Sequence, residues 1–137
     1  MLVFPFVETG ALHLPVQIRI GFVVLQVYGV FLRYWSMKTL GSFFTRSIIT
    51  RDNQKIIDQG PYAFVRHPGY AANLAVYYGG MVACAGNIFA VLLYIVLFFG
   101  IWGGRMDNEE AMLLKSFPEQ YKNYRNKVRF RVVPFVY

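Results

Sequence analysis

AANLAVYYGGMVACAGNIFAVLLYIVLFFGIW, residues 71–102, runs for 32 positions without a charged side chain. One helix of that length would rise about 48 Å, well beyond the ~30 Å of a hydrocarbon core. Gly86-Asn87 near its middle is a turn signal, so the stretch reads as a helical hairpin. Each arm of about 15 residues is short for a full crossing, which takes ~20. Residues 68–70 and 103–106 therefore extend the arms at the base, giving a hairpin over 68–104. Gly79-Gly80, with Ala83 and Ala85, offers a small-residue surface against which a neighbouring helix can come close.

Upstream, VQIRIGFVVLQVYGVFLRYW spans residues 16–35, 20 positions, which is the length of one crossing. Arg19 and Arg33 lie near its ends and can snorkel to headgroups, and Tyr34 and Trp35 suit an interface. The expected fold is all-α integral membrane, with about three transmembrane helices in one domain over residues 1–137. Composition agrees: 56% hydrophobic and 15% charged residues, against roughly 45–50% and 25% in a soluble domain. That excludes a disordered chain and argues against a water-soluble monomer. The lone Cys84 excludes an intrachain disulfide and reads as a small core residue. MLVFPFVETG lacks the basic region and cleavage site of a signal peptide, so the start is read as mature chain.

The net charge of +7 comes from 14 Lys and Arg against 7 Asp and Glu. Only Arg19 precedes Arg33, and every other basic residue lies outside the hairpin. The positive-inside rule then puts 36–67 and 103–137 on the cytoplasmic side, with the N-terminus and Gly86-Asn87 opposite. Residues 36–67 read as an interfacial segment, in which 47–50 and 55–58 could pair as a short hairpin. Gly60-Pro61 marks a turn, and Pro68 suits the first turn of a helix. Beyond the hairpin, Glu110, Leu113, Leu114, Phe117, Tyr121, Tyr124 and Val128 follow amphipathic helical steps. Pro118 breaks them into a helix ending near Ser116 and another starting at Pro118. The tail, 128–137, mixes basic and apolar residues and is expected to lie on the membrane surface.

Chemistry concentrates at the base of the hairpin. Arg66-His67 immediately precedes Pro68, where helix N–H groups and the positive dipole end favour an anion. Headgroup anchoring by Arg66 and capping by His67 is the alternative. Arg105-Met106-Asp107-Asn108-Glu109-Glu110 lies at the other base, so the hairpin makes Arg66 and His67 neighbours of the glutamates. Consecutive helical residues point ~100° apart, so one glutamate belongs at the site and one in support. A plain Arg105–Glu109 pair on a solvated face is the alternative. Both signs of charge at a membrane surface suit a zwitterionic or cationic cofactor and an anionic lipid-like substrate. No GxGxxG phosphate loop exists, and His13, His67 and Cys84 do not form a metal set. The serines lack a nucleophile-elbow context, and nothing indicates a nucleic-acid partner.

LRYWSMKTLGSFFTR, GPYAFVRHPGY, RMDNEEAML and FPEQYKNYRNKVRFRVVP, in this order around the hairpin, resemble the isoprenylcysteine carboxyl methyltransferase family and the related phospholipid methyltransferases. The likeness runs from about Leu32 to Tyr137, three-quarters of the chain. It implies an integral membrane enzyme that uses S-adenosylmethionine without a Rossmann domain. On this resemblance Tyr62, His67, Pro68, Tyr70, Glu109, Glu110 and Tyr121 would bind the cofactor. Arg66, Arg105 and Glu110 would serve catalysis, the arginines by orienting a carboxylate acceptor. Tyr121 and Tyr124 match a YxxY pattern that closes the pocket or packs beneath it. Ala72 stands where the family has glycine, which would narrow the cofactor cleft.

Relatives of this kind carry further spans before the first helix, whereas only residues 1–15 stand there here. A short member, a longer parent protein and a homo-oligomer that completes the core are the readings this leaves. The expected partners are the bilayer and a lipophilic or prenylated substrate. A phospholipid amine is the alternative acceptor. An NADPH-dependent sterol-type reductase is a rival, set back by the missing acidic-acidic-x-x-Cys pattern and tail tryptophan. A non-catalytic membrane scaffold is the third class.

Overall fold

Pro15 opens the first helix: its carbonyl accepts from the amides of Ile18 and Arg19 at 3.0 and 3.2 Å. A computed structural model describes residues 14–41, 56–84 and 88–135 of the chain. The expected 47–50 and 55–58 pairing falls largely outside these residues, as do Gly86-Asn87 and the side chains of Ala83, Cys84 and Ala85. Helix α1 covers Val16–Leu40, α2 Pro68–Cys84, α3 Ile88–Ser116 and α4 Pro118–Lys127, with a short 3-10 helix at Gly60–Ala63. No strand occurs among the described residues.

Two proline breaks fall where expected, at Pro68 and Pro118. Two boundaries differ. α1 continues past Trp35 to Leu40, because its late polar residues satisfy themselves within the helix. Ser36 Oγ donates to the Leu32 carbonyl at 2.7 Å, and Thr39 Oγ1 to that of Trp35 at 2.9 Å. Gly41, at φ 54°, ends it, donating its amide to the Met37 carbonyl. The other difference lies at residue 104. α3 passes through Gly103-Gly104 without a break, so one helix carries both the apolar arm and the glutamates.

α1 and α2 form the tightest pair. A Cβ built on Gly79 would lie 2.6 Å from the Phe22 carbonyl oxygen of α1. One built on Gly29 would lie 2.8 Å from Val76 Cγ2 and 3.0 Å from the Ala72 carbonyl. The small-residue reading holds for Gly79, and Gly29 is its unforeseen counterpart. Ala72 is fully buried at this crossing, where it serves helix packing.

The outer faces of α1 and α3 are apolar and exposed, including Val23, Val27, Phe31, Leu93, Val96 and Ile101. Within the most apolar part of each helix only 6% and 11% of residues are buried inside the chain. A soluble protein's core helix would be covered, so these faces are made for lipid or further helices. Both helices are long and apolar enough to cross a membrane. α2, with 17 residues, rises only about 26 Å.

Past the apolar arm, Tyr121, Tyr124 and Val128 pack together with Ile56, Leu113 and Leu114. The tail that follows α4 begins packed against the protein. Its first residues run beneath the start of α2, where Arg66 N–H donates to the Phe130 carbonyl at 2.9 Å and His67 N–H to that of Arg131 at 2.8 Å. Val128 and Val132 are buried there.

Candidate functional site

The fold brings Arg66 and His67 against the C-terminal part of α3, as the hairpin reading expected. Glu110 projects into their midst and is 3% exposed. Arg66 Nε donates to Glu110 Oε1 at 3.0 Å, and His67 Nε2 lies 3.0 Å from the same oxygen. With the carboxylate ionised, that nitrogen is the donor. Arg131 Nε and Nη2 reach the two Glu110 oxygens at 3.2 Å each, and Nη2 also reaches Asp107 at 2.7 Å. Burial alone would raise the Glu110 carboxyl. Hydrogen bonds from His67, Arg131 and Arg66 outweigh it and hold the group down at about 2.

Arg66 is spent largely inward. Besides Glu110, its Nη1 donates to the carbonyls of Val128 at 3.0 Å and Arg129 at 2.6 Å. The anion that Arg66 and His67 meet is the chain's own carboxylate, and their first task is to join α2, α3 and the tail. Pro68 is fully buried at the same joint. Tyr121 is buried among apolar neighbours, its ring 5.9 Å from Tyr124, which is a core position and not an open cofactor face. Burial, with Glu110 nearby, pushes its phenol up.

Glu109, one step along α3, faces elsewhere. Tyr70 donates to Glu109 Oε2 at 3.2 Å and accepts from Arg105 Nε at 3.0 Å. In place of the alternative, a plain Arg105–Glu109 pair, a phenol from α2 bridges the two side chains. The Arg105 guanidinium also lies 5.9 Å from the Trp102 ring, and the Tyr70 and Trp102 rings are 5.3 Å apart. Tyr62, on the 3-10 helix, is held by the Tyr124 hydroxyl, which donates to its carbonyl at 2.8 Å. Burial and then Glu109 push the Tyr62 phenol up, while Arg33 opposes them. That places the field of Arg33 at this cluster. Its Nη1 donates to the Gly69 carbonyl at 3.2 Å, so the end of α1 enters the site.

The site thus has two faces separated by one residue step of α3. The buried face is Arg66, His67 and Glu110, with the half-buried Arg131 at its edge. The half-buried face is Tyr62, Tyr70, Arg105 and Glu109, with Arg33 behind. Three contributors escaped the sequence reading. By sequence Arg33 reads as a headgroup anchor, Asp107 has no role of its own, and Arg131 sits in a tail with no periodicity to say what it covers. Among the described residues no cluster suits a metal ion.

The model of the isoprenylcysteine carboxyl methyltransferase family matches residues 21–115. The chain belongs to that family. A protein-S-isoprenylcysteine O-methyltransferase of Schizosaccharomyces pombe is 30% identical over 128 residues, covering 92% of this chain and 49% of its own length. A probable protein-S-isoprenylcysteine O-methyltransferase of Oryza sativa subsp. japonica is 30% identical over 116 residues, covering 83% and 60%. A solved eukaryotic intramembrane Ras methyltransferase shares the fold with a TM-score of 0.78 at 25% identity, over 86% of this chain and 42% of that one. The chain spans about half the length of the curated relatives it matches. Membership confirms the family resemblance and accounts for the lipid-facing helices: the family's proteins are integral to membranes.

Proposed function

We propose that the chain carries the methyl-transfer half of an S-adenosylmethionine-dependent enzyme acting on the carboxylate of a prenylated cysteine. The observation behind this reading is the Tyr70 hydroxyl set between Arg105 and Glu109, which gives one half-buried surface both signs of charge. Glu109 Oε1 takes no hydrogen bond among the described residues. A carboxylate oxygen with lone pairs to spare, near the Tyr70 and Trp102 rings, suits a sulfonium cation, so the residues fit the cofactor.

When bound, S-adenosylmethionine supplies an electrophilic methyl group for in-line displacement. A carboxylate acceptor has a reference pKa near ~4 and is ionised at neutral pH, so the chain needs no general base. Its residues have to align and dehydrate the reactants. Arg105 and Arg33 would hold the acceptor carboxylate and Glu109 would offset the sulfonium charge, while Tyr70 fixes Arg105 and Glu109 relative to each other. Arg66, His67 and Glu110 hold the frame from behind. The lipid part of the acceptor lies along the exposed faces of α1 and α3. The basic segments support a cytoplasmic face for this chemistry.

The test is transfer of labelled methyl from S-adenosylmethionine to a small farnesylated cysteine by the detergent-purified chain, with cofactor binding measured alongside. Labelled methyl ester from wild type and its loss in Glu109→Gln support the reading. A folded wild type that binds no S-adenosylmethionine overturns it. Label on a phospholipid amine instead assigns the alternative acceptor.

A further inference from the structure

An open groove of about 300 Å³ lies on the outer side of the Arg66–Glu110 joint, lined by Arg66, Leu114, Lys122, Arg125, Asn126 and Arg129. No acidic side chain lines it. We propose that this groove is a binding site for a phosphate-bearing anion, separate from the Tyr70–Glu109 surface and independent of the methyl-transfer reading.

Local charge carries the argument. Around the groove, Arg66, Lys122, Arg125, Arg129 and Arg131 face two carboxylates, Glu110 and Asp107, an excess of three positive charges. Glu110 is already met by Arg66, His67 and Arg131. Arg125 approaches it only to 3.9 Å, at the edge of ion-pair range. The side chains of Lys122 and Arg129 make no ion pair or hydrogen bond among the described residues. Cations that lack internal counter-charge and converge on a concavity raise the local concentration of anions.

The back of the groove is built and not merely charged. Arg66 is 9% exposed, and bonds to Glu110, Val128 and Arg129 fix its guanidinium. Those bonds use Nε and Nη1. No buried side-chain nitrogen or oxygen in the described residues lacks a partner, so the remaining Nη2 keeps access to solvent on a residue that lines the groove. An immobilised guanidinium is pre-organised for a phosphate oxygen and loses little side-chain freedom on binding. Asn126 adds a neutral hydrogen-bonding amide, and Leu114 an apolar wall. Lys122, Arg125 and Asn126 belong to α4, Leu114 to α3 and Arg129 to the tail. A ligand there would clamp three segments that the Arg66 joint already brings together. A lipid headgroup and a free phosphate share the required chemistry.

The experiment uses the full chain in detergent, in two arms. Native mass spectra are recorded with phosphatidylglycerol against phosphatidylcholine, and thermal unfolding is followed with inorganic phosphate against chloride at equal ionic strength. Each arm compares wild type with Lys122→Gln/Arg129→Gln, whose altered side chains are exposed; circular dichroism checks the fold. The expected result is saturable binding of one probe, weakened about 10- to 30-fold in the double variant. Preference for phosphatidylglycerol alone assigns a headgroup, and saturation by inorganic phosphate assigns a free anion. Absence of saturable binding in both arms, or equal binding by a folded double variant, overturns the site.

Discussion

His67 Nε2 and Glu110 Oε1 lie 3.0 Å apart across 43 positions of chain, joining the residue before α2 to the polar part of α3. The same oxygen accepts from Arg66 and Arg131, so one carboxylate balances two guanidiniums in a nearly dry site. Glu110→Gln keeps the shape and removes the charge, leaving buried cations uncompensated. We expect a loss of ~3–5 kcal/mol in unfolding free energy, read by thermal or denaturant unfolding in detergent. Glu109→Gln, which gives up one part-buried hydrogen bond, should lose about 1 kcal/mol. Equal losses would show that the two glutamates have not divided their labour as described.

The acid limb of stability follows from the same carboxylate. Its folded-state pKa, about 2, lies below the ordinary 4.5. A depressed acid stabilises the folded state above its unfolded pKa and loses that contribution as pH falls through the folded one. Between pH 4.5 and 2 the chain should therefore lose stability, by ~3 kcal/mol from this group. Asp58 is also lowered by Lys127, but that exposed pair adds little. Unfolding midpoints measured across this window should fall steeply in wild type and more shallowly in Glu110→Gln.

The helix crossing gives a prediction free of electrostatics. Gly79→Ala places a methyl 2.6 Å from the backbone oxygen of Phe22, which can yield only if α1 and α2 separate. A destabilisation of ~1–3 kcal/mol is expected. Gly21→Ala, on the same helix pair with open space around it, should leave unfolding unchanged or slightly improved. Similar midpoints for the two variants would mean the helices are not in contact at Gly79.

Tyr70→Phe removes the hydroxyl shared by Arg105 and Glu109 and leaves the ring beside Trp102. Packing is retained, so stability should change by less than about 1.5 kcal/mol. Methyl transfer should fall about tenfold or more, since two charged groups lose their common reference point. Parallel kcat/KM and unfolding measurements separate these effects; a fall in both to the same degree would assign Tyr70 to the frame.

Much of this was legible because proline and helical periodicity act locally. Pro68 and Pro118 set helix starts, and an uncharged run too long for one crossing implied that the basic and acidic clusters at its two ends are neighbours. The 100° step between Glu109 and Glu110 said that they would part, but not which way. That depended on Arg131, which approaches from a tail whose pairing is with backbone groups of Arg66 and His67 and leaves no periodic mark. Arg66 was read as facing a ligand for a related reason: nothing in its neighbours' identities shows that the Val128 and Arg129 carbonyls claim two of its bonds. The extension of α1 was hidden in Ser36 and Thr39, polar residues that look like a helix end until their hydroxyls are seen bonded one turn back.

α3 runs as a single rod of 29 residues, about 43 Å long. Its apolar arm and the turn bearing Glu109 and Glu110 cannot tilt separately, because Gly103-Gly104 does not interrupt the backbone ladder. A bilayer that thickens or thins is matched by a change in the rod's inclination. The far end then swings through a wider arc than the embedded part, and the glutamates swing with it relative to the headgroup plane. Bilayer thickness thereby becomes a mechanical input to the height at which this surface sits.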